Sequence, residues 1–258
     1  MGEVNWESAN TTGTKLYQRG QYKEAEMQLR LALRAAENFG SKDPRVAVVL
    51  NNLGSLSHNQ GKRDEAQSHY ERALSIREEH YGPHDPWVAQ SLNNIASLYR
   101  EQEKYAEAEK CLKRALKIAE SVVGTDHYRI TNCLNNLAAV YTEQKRYKEA
   151  ESFFRRSLSI RQRDLGPEHP AVATALCGLA ELAAAQEKND EADSLFEQAL
   201  TIRETQLGSE HPAVATLLEK YSDLLSLLGR EPEATEKREH AAKIREGQAR
   251  IQTADSVH

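Results

Sequence analysis

The sequence predicts an all-α fold, a solenoid of about six helix–turn–helix units, and three observations carry that prediction. Leu-Asn-Asn recurs at 50–52, 92–94 and 134–136, a step of 42 residues. An apolar residue followed by glycine keeps the same step at Phe39-Gly40, Tyr81-Gly82, Val123-Gly124, Leu165-Gly166 and Leu207-Gly208. Within each step the apolar residues fall at helical spacing, and self-similarity at a fixed period of this length marks a stacked array.

Each unit reads as two helices. Leu92, Ile95, Ala96 and Tyr99 form one apolar stripe, and Ala108, Leu112, Ala115 and Leu116 form a second after Glu103-Lys104-Tyr105. Asp85 is placed to cap the first helix, with Pro86 in its first turn where a missing N–H is harmless; Gly82 lies past the preceding helix, where positive φ is cheap. Asp43-Pro44, His169-Pro170 and His211-Pro212 keep that punctuation, and His127-Tyr128 departs from it. Two helices of roughly 17 residues, each about 25 Å long, cannot bury their stripes alone and must stack on neighbours. The expected architecture is a single superhelix over 1–258, with repeats 4–42, 43–84, 85–126, 127–168, 169–210 and 211–250. The last repeat reads as a cap, because Arg238 stands where earlier repeats have Tyr70, Leu112, Phe154 and Phe196. Residues 251–258 read as a polar, frayed tail.

Composition narrows the function. A net charge of −5 gives no basic surplus for nucleic acid or an anionic membrane. No apolar run is long enough to span a bilayer and the start has no apolar signal segment, so a cytoplasmic protein is expected. Cys111, Cys133 and Cys177 form no CxxC pair and read as reduced, packed thiols. His80, His84 and Asp85 span a turn rather than one helical face, so no metal site is expected. No phosphate loop, dinucleotide fingerprint, nucleophile elbow or zinc-protease motif occurs, and neither an enzyme nor a cofactor is predicted.

The small-residue and aromatic pattern of Leu53–Leu74 resembles the tetratricopeptide repeat (TPR). The length of 42 residues, with "HPAVATAL", "LNNLAAVY", "KRYKEAE" and "SLSIRQRDLG", is similar to the repeats of kinesin light chains and their bacterial relatives. That resemblance implies a right-handed α-solenoid and a non-catalytic scaffold that holds an extended peptide or partner protein in a concave groove lined by first helices. It implies groove roles for the second asparagine of each Asn-Asn pair and for an arginine near the end of the preceding second helix. Two departures stand out: no heptad segment for a motor heavy chain precedes Trp6, and Val48, Gln90 and Asn132 replace the groove lysines of that family.

Helical geometry at about 100° per residue places Gln90, Asn94, Ser97 and Glu101 opposite the core stripe, and Asn93 on the flank toward a neighbouring repeat. The same stripe holds Val48, Asn52, Ser55 and Asn59 in repeat two, and Asn132, Asn136, Ala139 and Glu143 in repeat four. Primary amides offer both donor and acceptor, which suits the backbone of an extended peptide. The predicted peptide-binding residues are Asn52, Asn94, Asn136, Gln90, Asn132, Ser55 and Ser97, on the first helices of repeats two to four. Arg77, Arg161 and Arg203 are added as forked donors to ligand carboxylates, with ion pairs to Glu78 and Glu204 as the alternative. Asn51, Asn93 and Asn135 are expected to serve inter-repeat packing, and Cys177 to be a packing thiol. A monomer is expected; the competing reading is a self-associating architectural module or a regulatory fragment of a larger protein.

Overall fold

The computed structural model describes residues 5–255, and these form an all-α solenoid of consecutive helix pairs without a strand among them. The pairs are α1 (Trp6–Gln18) with α2 (Tyr22–Glu37), α3 (Pro44–Asn59) with α4 (Arg63–Tyr81), and α5 (Pro86–Glu101) with α6 (Tyr105–Val123). They continue with α7 (Thr131–Glu143) and α8 (Tyr147–Leu165), α9 (Pro170–Ala185) and α10 (Asn189–Leu207), and α11 (Pro212–Leu227) and α12 (Glu231–Asp255). The pairs gather into two compact units, Met1–Val122 and Val123–His258.

The caps explain where first helices begin. Asp43 and Asp85 accept from the backbone N–H of Arg45 and Trp87, each followed by its proline. His169 and His211 do the same through Nδ1, each at 3.1 Å from the N–H of Ala171 or Ala213, so these histidines serve helix entry. At the one step without proline, His127 caps Arg129 and the chain enters through a 3₁₀ turn, Tyr128–Ile130, which delays α7 to Thr131. Within each pair the chain reverses through a left-handed residue. That residue is Gly20, Gly61 or Gly229 in three pairs, but Glu103, Lys145 or Glu187, near φ 60°, in the others.

Packing follows the predicted stripes. Leu92, Ile95, Ala96, Ala108, Leu112, Ala115 and Leu116 are buried, and Tyr99 is half-buried. Ile76, Ile118, Ile160, Ile202 and Ile244 recur every 42 residues and are buried in every repeat after the first. Burial of each such side chain is worth about 1.5–3 kcal/mol, which is what a lone helix pair could not gather. In the first unit Gly54 exists because the Tyr70 ring fills its side-chain position: a Cβ there would sit 2.5 Å from that ring. In the second unit Phe196 stacks on Tyr221 at 5.2 Å between centroids.

In the last repeat Arg238 is exposed and donates to Ser226 Oγ. Its helix runs on to Asp255, into the stretch expected to fray, and residues 256–258 of that stretch lie outside the described residues.

Candidate functional site

The first-helix face is held by paired side chains, and their register shows what the asparagines do. In the first unit Asn52 Nδ2 donates to Asn10 Oδ1 at 2.8 Å, and Asn94 Nδ2 donates to Asn51 Oδ1 at 2.7 Å. Counted back from the reversing residues Gly20 and Gly61, Asn10 and Asn51 occupy one helical position, so the two bonds are the same rung repeated. The donor sense is fixed chemically. Thr14 Oγ1 gives its proton to the Asn10 carbonyl at 2.8 Å, so it must accept from Asn52 Nδ2 at 3.4 Å. Two turns further on, Asn59 donates to the Tyr17 hydroxyl, and His58 Nε2 meets Glu101 Oε1 at 2.8 Å. Two rungs therefore staple α1 to α3, and two staple α3 to α5.

These rungs revise the division of labour expected inside each Asn-Asn pair. Asn51 does pack between repeats, but its partner is Asn94, which was expected to face only a ligand. Asn93 turns its Nδ2 onto the Ala89 carbonyl of its own helix at 3.0 Å. Asn52 and Asn94 are half-buried, and their Oδ1 atoms accept nothing among the described residues. Ser55 Oγ is committed to the Asn51 carbonyl and the Tyr70 hydroxyl, whereas Gln90 is exposed and Ser97 half-exposed.

In the second unit the rung is missing between α7 and α9. The position that should donate to Asn135 is Gly178, and a Cβ there would lie 2.2 Å from Phe154 Cε1. The phenyl ring has taken the space of the amide, and Asn135 Oδ1 is buried without a hydrogen-bond partner. Thr142, at the second rung position, donates to Ala138 in its own helix, opposite an alanine, Ala185. Asn132 and Asn136 are both exposed on α7. On α9, Cys177 Sγ lies 3.5 Å from Glu181 Oε1, which also pairs with Lys220 of α11, and burial pushes this thiol up to about 12. It is an inert packing thiol.

The arginines are a correction. Arg77 and Arg161 are only 3% exposed and cannot offer a fork to a ligand. Arg77 donates to the Trp87 carbonyl at 2.9 Å and to Ser91 Oγ at 2.8 Å. Arg161 donates to the Ala171 carbonyl at 2.6 Å, Thr131 Oγ1 at 2.9 Å and Asn132 Oδ1 at 2.8 Å. Arg203, half-buried, reaches the Ala213 carbonyl at 2.7 Å and Thr174 Oγ1 at 3.4 Å. Each arginine clamps the first turn of the next repeat's first helix, on the carbonyl just after its proline. The alternative ion pairs do not form either, since Glu78 goes to Arg114 at 2.6 Å. Burial draws Arg77 and Arg161 down to about 10, the mark of a cation held by neutral acceptors.

A second arginine series escaped the sequence reading. Arg72, Arg114 and Arg156, on the 42-residue step, donate to the carbonyls of Ser41, Pro83 and Thr125 in the turn before their repeat. Their spacing was visible; only the turn they reach was not. Among the described residues no three His, Cys, Asp or Glu side chains gather as metal ligands, and no helix is long and apolar enough to cross a membrane.

The tetratricopeptide repeat model matches residues 7–79, 45–121, 87–163, 129–205 and 172–247 in overlapping pairs of repeats. No curated protein matches the sequence. Among solved structures, BtubC (BKLC) from P. vanneervenii is 20% identical with a TM-score of 0.62, covering 95% of this chain and 93% of its own. Nearly identical TPR-like repeats described as those of a kinesin light chain from Podosopora anserina are 23% identical with a TM-score of 0.58, over 78% of this chain and 95% of theirs. A Rap protein complexed with competence and sporulation factor is 15% identical with a TM-score of 0.68, over 97% and 77%. At these identities the likeness is one of fold. The repeat matches span nearly the whole sequence and the helix pairs repeat their geometry, and on that ground the chain belongs to the tetratricopeptide repeat family.

Proposed function

We propose that the chain is a non-catalytic scaffold that binds extended segments of a partner protein on its first helices, α3 and α5 in the first unit and α7, taken by itself, in the second. The observation that carries this reading is the pair of fixed amides: rungs orient Asn52 and Asn94 while leaving both Oδ1 atoms uncommitted beside exposed Gln90. Amides held in one orientation lose little entropy on binding, and a carbonyl oxygen accepts a ligand's backbone N–H whatever its side chain. A Rap protein of the same fold, solved with competence and sporulation factor, supports the use of such an array for holding a partner.

A photo-crosslinking residue at Gln90 or Asn132, compared with one at exposed Lys117 on a second helix, tests the assignment in native lysate. Capture of one partner from the first two positions and not the third is expected. Equal capture from Lys117, or none from Gln90 and Asn132, would refute the face assignment.

A further inference from the structure

The two units cap their first helices with different chemistry. Asp43 and Asp85 open α3 and α5 with a carboxylate, whereas His169 and His211, on the same 42-residue step, open α9 and α11 with an imidazole Nδ1. A carboxylate cap keeps its acceptors wherever an imidazole changes charge, but an imidazole accepts at Nδ1 only while it is neutral with its proton on Nε2. Protonation turns Nδ1 into a donor. The event that adds a positive charge therefore also deletes the bond to the N–H of Ala171 or Ala213.

That charge would stand at a helix N-terminus, where the backbone dipole opposes a cation, and neither α9 nor α11 has an acidic residue in its first turn. From the preceding second helices, Arg161 and Arg203 clamp the carbonyls of Ala171 and Ala213 in the same turns. From the following ones, Arg203 and Arg245 reach Thr174 and Thr216 one turn further in, Arg245 pairing there with Glu219. Glu168 and Glu210, just before the caps, are exposed. At the aspartate cap the charges are opposite: the Asp85 carboxylate supports the Arg77 cation that clamps its turn, while burial alone acts on Arg161. His127, a third capping imidazole, lies near the Asp164 carboxylate of α8, which gives a proton there an anion to meet; on that step the repeat of His169 has Gln206.

We infer that His169 and His211 form a proton-released latch: at neutral pH they cap the first helices of repeats five and six, and in mild acid both caps let go while the aspartate caps of the first unit hold. Release frees the turns that Arg161 and Arg203 clamp, so these two repeats loosen from their helix entries inward.

Amide hydrogen exchange of the full chain, corrected for the intrinsic rate and compared between about pH 7.5 and about pH 5.5, tests this. Protection at Ala171 and Ala213 is expected to fall about fivefold, the loss that removal of one helix cap brings, while the capped amides of Arg45 and Trp87 keep theirs. The double variant His169→Asn with His211→Asn, whose caps have no proton to gain, should keep its protection across the range. Its urea midpoint should match the parent at neutral pH and stand above it in acid. Unchanged protection at Ala171 and Ala213 overturns the inference, as does an equal loss at Arg45 and Trp87 or in the double variant. A midpoint difference between parent and double variant that does not change with pH overturns it as well.

Discussion

Arg161→Met separates a packing role for the buried arginines from a ligand role. The side chain donates to three acceptors, of which Asn132 is exposed and regains water when the donor is lost. The other two are Thr131 Oγ1, in a buried residue, and the part-buried Ala171 carbonyl, and a hydrogen bond from a charged donor is worth about 1.5–3 kcal/mol, so at most roughly 3–6 kcal/mol is at stake. Against this stands the cost of burying the cation. A fall from 12.5 to about 10 corresponds to roughly 3 kcal/mol that methionine does not incur. The expected net loss centres on about 1.5 kcal/mol, read as a lower urea midpoint with unchanged slope. Arg161→Lys should fall at least as far, because lysine keeps the charge but cannot fork across three acceptors. An unchanged or raised midpoint in both variants would refute the clamp.

Gly178→Asn should destabilise by about 1–3 kcal/mol because its Cβ meets Phe154, and Phe154→Leu in the same chain should restore more than the sum of the singles by rebuilding the rung onto Asn135; additive midpoints would refute that coupling. Glu103→Gly, Lys145→Gly and Glu187→Gly should each raise the thermal midpoint, by about 0.5 kcal/mol in stability, since each residue holds a left-handed conformation. Burial works against ionised Asp193, but the Tyr221 hydroxyl and Arg230 hold its carboxyl below the usual 3.8. Its contribution is therefore complete above that value and lost as pH falls through the lower folded one; the stability gap between the parent and Asp193→Asn, up to about 1 kcal/mol, should narrow progressively as pH falls below 3.8. A gap that persists in acid would refute it.

The fold was legible because punctuation and periodicity agree: Gly82 ends α4, Asp85-Pro86 opens α5 and the stripe Leu92 to Tyr99 marks its buried face, each from a different physical cause. Helix angle alone set Asn94 opposite the core, which is right for a single helix. It could not show that neighbouring first helices approach closely enough for Asn94 to reach Asn51, because that distance depends on stacking. Arg77 and Arg161 misled for a related reason. A charged residue at the end of a polar helix reads as solvated, and only the carbonyl of the following repeat, ten residues on, explains its burial.

Each amide rung stores its acceptor on one repeat and its donor on the next, always in the same sense along the chain. The repeats are therefore not interchangeable blocks. A module lifted from the middle of the array carries half a bond at each end, and fits only between neighbours holding the matching halves. The unanswered oxygen of Asn135 shows what a mismatched junction looks like when the following repeat has no amide to offer. Grafting, deleting or duplicating a repeat in this protein changes two junctions at once, and the order of the repeats is itself information that the fold reads.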